Sequence, residues 1–340
     1  MKKRILWVDI LNIVACLGVL LMHTSNHQVH SWNGEYNMDF WWGLLTHTLD
    51  YWPVPIFLML SGNNILSKNC PPQFGWRYFY RKRFLKTMLP FLLWSLIYSI
   101  PFFLSGNMTL GTSLEYFVQT KYNSHMWFFI PLFAFYLSVP FLSAWLRNVQ
   151  KNEVCVFLLI VFLTLYVVKP VFRFFDWGFF EYSIIPMGGS LLFYPIMGYA
   201  ITRYSFFQNN KKTVIFVGAI AAIVHFSLLY YSVTILGNSK RFQNVEECTC
   251  ALIAVAVYVL FISINWDKII DRLHIRIEWI TVLSSCSLGV YLIQKLLFIV
   301  SNRFDVGMTN PYYGAFVTYF IAILIVLAMK KVKLLRILVP

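Results

Sequence analysis

The sequence predicts an all-α membrane protein: a single transmembrane domain over residues 1–340, built as a bundle of about ten transmembrane helices with both termini cytoplasmic. Three observations carry this reading. Apolar runs of about 18 or more residues recur along the whole chain, and each is long enough to cross roughly 30 Å of hydrocarbon. Charged residues are only 12% of the chain against 59% apolar, about half the charge that a soluble domain carries. The Lys and Arg residues gather in alternate loops, as membrane orientation requires.

Ten spans follow in order, over about 5–23, 40–66, 84–104, 126–147, 153–168, 183–201, 213–236, 248–265, 280–300 and 312–329. The first begins after Met-Lys-Lys-Arg. It is longer than a signal-peptide core and has no small-residue cleavage site behind it, so it reads as an anchor that stays as a helix. The second contains Pro55, which removes a backbone donor and is expected to kink it. Ser61 and Gly62, further along the same span, allow a neighbouring helix to approach closely. In the sixth, Pro186, Gly188 and Gly189 interrupt the apolar pattern and leave a re-entrant element open. With the N-terminus inside, basic residues crowd the cytoplasmic segments around 2–4, 68–86, 147–151, 203–212, 268–276 and 330–336. Few remain for the outer loops. Placed this way, the net charge of +14 is an orientation signal and not a nucleic-acid surface. It also implies contact with anionic membrane lipids. The six cysteines lack metal-ligand spacing, so neither a metal nor a disulfide framework is expected and apolar packing is the reading for all six.

Chemistry is sought where polar groups interrupt the spans. An ionisable group in a bilayer-length run costs roughly 2.5–3.5 kcal/mol by insertion scales, so it normally faces a protein interior with a task there. Asp9, Asn12 and His23 all lie on span one. Eleven helical residues, about 16 Å, separate Asn12 from His23, so one helix carries polar groups toward both membrane faces. His47 and Asp50 in span two fall level with His23, as do His125 and Trp127 at the start of span four. The functional reading is an outward chamber in which His23 is a general base oriented by Asp50, with His47, His125 and Trp127 lining the substrate side. Imidazole suits the role because it titrates near neutrality. The competing reading makes His23 an interfacial helix cap and His47–Asp50 a helix-packing pair. His225 is assigned to structure. A second constellation, Arg77-Tyr78-Phe79-Tyr80-Arg81-Lys82-Arg83 through Pro90, interleaves cations with aromatics. It suits a ligand with phosphates and a ring, such as coenzyme A, and equally satisfies the positive-inside rule. Nucleotide hydrolysis by this chain alone is not expected, since it has no phosphate-cradling glycine loop with Lys-Ser/Thr, and it has neither a Gly-x-Ser-x-Gly elbow nor His-Glu-x-x-His.

Several of these segments, taken in order, resemble the acyltransferase-3 family of integral-membrane O-acyltransferases. They are Asp9-Ile-Leu-Asn12 to His23, Val54–Gly62, Arg81-Lys82-Arg83 to Pro90, His125-Met126-Trp127-Phe128, Tyr194-Pro195-Ile196-Met197-Gly198-Tyr199 and Ser284 to Ile293. The resemblance covers nearly the whole length. It implies transfer of an acyl group, acetyl above all, from cytoplasmic acyl-CoA as donor substrate to a hydroxyl of an envelope glycan or lipid-linked sugar, in the cell membrane. It implies that His23 is the general base. The family opening usually has Arg where this chain has Asn12, and the late motif often ends in His where this chain has Gln294. The expected donor site is therefore Asn12 together with Arg81, Arg83 or Arg203. A homodimer is left open. The rival reading is a transporter of a small polar solute or an acylated saccharide, without chemistry.

Overall fold

The computed structural model describes residues 5–49, 51–66, 75–104, 110–175, 190–304 and 310–340. Among the described residues every regular element is helical. The helices are α1 (Leu6–Thr24), α2 (Asn26–His30), α3 (Met38–Leu49), α4 (Pro53–Leu66), α5 (Gly75–Leu104), α6 (Leu110–Val118), α7 (Phe129–Asn148), α8 (Lys151–Phe174), α9 (Phe193–Arg203), α10 (Lys211–Thr234), α11 (Cys248–Ser263), α12 (Trp266–Arg272), α13 (Ile277–Phe304) and α14 (Gly314–Lys331). Seven helical stretches there are long and apolar enough to cross a membrane. Counting α11 and α12 as one span bent by 64° makes eight.

Two expected spans differ from that pattern. The stretch 40–66 is not one kinked helix but two, α3 and α4, and the break precedes Pro55. The reason is positional. Pro53 and Pro55 lie in the first turn of α4, where backbone N–H groups have no intrahelical acceptor, so proline starts this helix without distorting it. Of the stretch 183–201, only the part from residue 190 is described, and it contains the short α9. Pro186, Gly188 and Gly189 lie outside the described residues. Proline acts differently further along. Pro90 and Pro170 each follow a π-helical turn, Phe84–Met88 within α5 and Phe162–Val168 within α8. A mid-helix proline loses its i−4 bond and its ring crowds that carbonyl, and a wider turn relieves both.

Helix α1 is the hub, packed against α4, α13 and α14. Its buried face is Leu11, Ala15, Cys16, Val19 and Leu20. Helix α4 runs against α9, and α10 pairs with α11. His225 is fully buried in that last pair, with Nδ1 2.9 Å from Thr249 Oγ1, which is a structural placement. Cys155 is exposed, so packing inside the bundle holds for Cys16, Cys250 and Cys286 but not for it. Two ion pairs, Lys169–Glu246 and Arg173–Glu247, both at 2.5 Å, tie the end of α8 to the segment before α11.

Candidate active site

The site has two halves along α1. At the Asn12 end, a cleft of about 300 Å³ lies between α1, α4, α5, α7 and α13, lined by Asp9, Asn12, Asn64, Tyr136, Ser284 and Ser287 among others, and reaching Phe128 and Tyr291. The Asn12 amide is engaged within the protein. Its Nδ2 donates to Ser284 O at 2.9 Å, Ser284 Oγ at 3.1 Å and Ser287 Oγ at 3.1 Å, binding α1 to α13. Arg83 stands beside this cleft because its guanidinium lies 5.3 Å over the Phe79 ring and 5.2 Å over the Tyr136 ring, and Tyr136 is a lining residue. Arg81 is exposed and lines a separate open hollow with Tyr78, Lys82, Leu85 and Lys86. Arg203 is exposed at the end of α9, apart from the cleft's lining residues. Of the four expected donor-site residues, Asn12 lines the cleft and Arg83 lies over the ring of its lining residue Tyr136; Arg81 and Arg203 do not join them.

At the other end of α1 the histidines converge. His23 and His125 face each other with ring centroids 6.5 Å apart and planes at 82°. Asn26 Nδ2 lies 3.4 Å from His23 Nδ1, one helical turn on. His125 is buried in the tight turn Lys121–Phe128, with Tyr98 and Tyr291 rings 5.7 and 5.6 Å away. The Tyr291 hydroxyl donates to the His125 carbonyl oxygen. The Tyr98 hydroxyl, in turn, donates to Leu292 O at 2.8 Å and accepts from Leu296 N at 3.2 Å, clamping α5 to α13 behind it. Lys295, on the same helix, is the cation whose charge reaches both His23 and His125.

His47 belongs to an adjoining cluster. It is buried, its ring lies 5.5 Å from that of His30, and its Nδ1 is 3.1 Å from Gln243 Nε2. Thr46 Oγ1 donates to Ser25 Oγ at 2.7 Å, which fixes α3 against the end of α1 beside His23. Trp127 is exposed, whereas His125, two residues before it, is buried. Asp50 lies outside the described residues, so its pairing with either His23 or His47 is not part of this geometry. Sequence reasoning did not assign roles to Tyr98, Tyr291, Asn26 or Lys295. Tyr291 falls only within the Ser284 to Ile293 segment of the resemblance.

The two motif-bearing regions meet at Tyr291, which lines the cleft and bonds the His125 turn. The chain matches the family model of the acyltransferase domain, Acyl_transf_3, over residues 5–329. The chain belongs to the acyltransferase-3 family. It is therefore a membrane acyltransferase, transferring groups other than aminoacyl groups. Among curated proteins and among solved structures, nothing matches it. In this acyltransferase several of the segments that carried the resemblance build the candidate site. The Asp9–His23 helix supplies both ends, His125–Phe128 and Ser284–Ile293 supply the wall between them, and Val54–Gly62 packs on Tyr194–Tyr199 to hold α4 in place.

Proposed function

We propose that this acyltransferase moves an acyl group, acetyl above all, from cytoplasmic acyl-CoA to a hydroxyl of an extracytoplasmic glycan or lipid-linked sugar, at the cell membrane. The proposal includes ten membrane crossings, with α3–α4 and the region ending in α9 as the two that are broken or short, and both termini cytoplasmic. One observation carries it: a cleft lined by Asp9 and Asn12 also reaches Tyr291, whose hydroxyl bonds the His125 carbonyl oxygen, and the His125 ring in turn lies 6.5 Å from that of His23. Such a path lets a donor enter from one face and meet an acceptor that comes from the other.

In this reading the basic segment of α5 attracts the phosphates, with the Arg83 guanidinium over the rings of Phe79 and Tyr136. The pantetheine arm follows the cleft, and the thioester stops near Tyr291. His23 takes the proton of the acceptor hydroxyl as the oxygen attacks the thioester carbonyl. The Asn26 amide, whose Nδ2 lies 3.4 Å from His23 Nδ1, holds the imidazole at the end of α1. A positioned base is worth about 10²–10⁴-fold in rate.

The test uses purified protein in liposomes with radiolabelled acetyl-CoA and a panel of methyl glycosides and lipid-linked saccharides as acceptors. Wild type should label an acceptor hydroxyl, and His23→Ala should lose about 10²–10⁴-fold of that transfer while still binding acetyl-CoA. Undiminished transfer by His23→Ala would sink the base assignment. Solute uptake without acyl-CoA, together with no labelling, would favour the transporter.

A further inference from the structure

His125 is more than 90% buried, at 7% exposure, and among the described residues neither of its ring nitrogens has a hydrogen-bond partner. The Tyr291 backbone stands near the imidazole without reaching hydrogen-bond geometry. A neutral imidazole always presents one donor and one acceptor. Leaving both unmet in a buried site costs about 1–3 kcal/mol per group, and buried polar groups without partners are scarce in folded proteins. His125 is held rigidly all the same: its backbone by the Tyr291 hydroxyl, its ring between Tyr98 and Tyr291. A second unmet side chain lies close by on α13. Gln294, three residues after Tyr291 and 1% exposed, has neither amide atom hydrogen-bonded among the described residues. An immobilised imidazole with both nitrogens vacant, between a donor cleft and a proposed base, is arranged to pass a proton through itself.

We propose that His125 is a catalytic residue that protonates the departing thiolate and is recharged by His23, so that the two histidines form a relay. The inference rests on the acyl-transfer reading above and completes its proton balance. His23 accepts the proton of the acceptor hydroxyl as the new C–O bond forms. When the C–S bond breaks, the thiolate takes the proton of His125 from one ring nitrogen. The other ring nitrogen receives the proton that His23 holds. Both imidazoles return to neutrality, and the products are one ester and one thiol. With the ring centroids 6.5 Å apart and nearly perpendicular, the nitrogens are farther apart than a direct hydrogen bond of about 3 Å. One water or the acceptor oxygen spans that gap. Tyr291 is the positioning residue, because its hydroxyl holds the turn that carries His125.

Leaving-group chemistry tests the relay. Acetyl-CoA releases a thiol that needs a proton at neutral pH; the acetyl thioester of 5-thio-2-nitrobenzoate releases a thiolate that does not. Transfer to the acceptor panel is measured for wild type, His125→Gln and His23→Ala. His125→Gln should fall about 10²-fold with acetyl-CoA and less than about threefold with the activated thioester. His23→Ala should fall with both. Undiminished transfer from acetyl-CoA by a folded His125→Gln protein overturns the relay, and so does an equal loss with both donors. If His125→Gln does not fold, a proton inventory of wild type in mixed H₂O and D₂O decides. A bowed curve requiring two moving protons supports the relay, and a straight line overturns it. Absence of transfer from either donor in wild type removes the acyl-transfer reading itself and the relay with it.

Discussion

Gly62 rests its α-carbon directly on the backbone of Pro195. A Cβ added to Gly62 would fall 2.0 Å from the Pro195 carbonyl oxygen. The contact is returned one turn away, where a Cβ on Gly198 would fall 2.3 Å from the Met59 carbonyl oxygen. Glycine thus sits on both sides of the crossing of α4 and α9, and the two backbones touch where any other residue would separate them.

Gly62→Ala and Gly198→Ala should therefore each destabilise the protein, by about 1–3 kcal/mol or more, since backbone, unlike a flexible side chain, cannot move aside. Thermal unfolding of the detergent-solubilised variants reads the effect. Wild-type midpoints for both would refute the crossing. Gly34→Ala is a poor control for strain, because Gly34 has φ of +96°, but its added Cβ meets nothing within 4 Å.

Asn12 makes a prediction about fold and another about donor binding. Asn12→Leu strips the donor from Ser284 O, Ser284 Oγ and Ser287 Oγ, and should cost about 1–3 kcal/mol. Asn12→Arg replaces that clasp with a cation at the cleft. Calorimetry with acetyl-CoA should show micromolar binding by wild type already. Binding seen only in Asn12→Arg would mean that the cleft as built does not hold the donor.

Arg83 is distinguished from its neighbours by its stacking. Arg83→Lys keeps the charge but loses the planar contact with Phe79 and Tyr136, so it should weaken acetyl-CoA binding about as much as Arg83→Ala does, by roughly 5–30-fold. Arg81→Lys, on an exposed side chain, should change affinity less than twofold at the same salt. Equal behaviour of the two lysine variants would show that only charge matters there.

Glu247 gives a pH signature. It is 6% exposed, and burial outweighs the charges of Arg173 and Lys169 to push its carboxyl up to about 7. A carboxyl raised on folding holds its proton more tightly in the folded state than in the unfolded chain. Its contribution is then fully present below about pH 4.5 and is lost as pH rises through about 7. Relative to Glu247→Gln, wild type should lose stability over that window, up to about 3 kcal/mol, and run parallel to the variant above it. A wild-type curve that rises with pH across the window would mean that the Arg173 pair dominates.

The sequence by itself determined the solvent of this protein and the ends of its first helix. Apolar runs, sparse charge and loop asymmetry depend only on composition and spacing, and the step from Asn12 to His23 follows from the rise of an α-helix, so these were legible without any contact. The grouping of His23, His47 and His125 at one end followed from span direction. The structure does place those three at one end of the bundle, although His47 sits with His30 and Gln243 and not with His23. What periodicity could not show was which cations share a cleft. Arg81 and Arg83 are two residues apart, yet one faces outward and the other lies under Tyr136, because two helical residues point about 200° apart and only packing against α7 selects between them. Nor could it show that the break in 40–66 comes before Pro53, which depends on where α4 begins, or that Tyr98 and Tyr291 seat His125. Tertiary structure decided those points. The seating of His125 rests on contacts between residues 166 to 198 positions apart, whose partners no local pattern names.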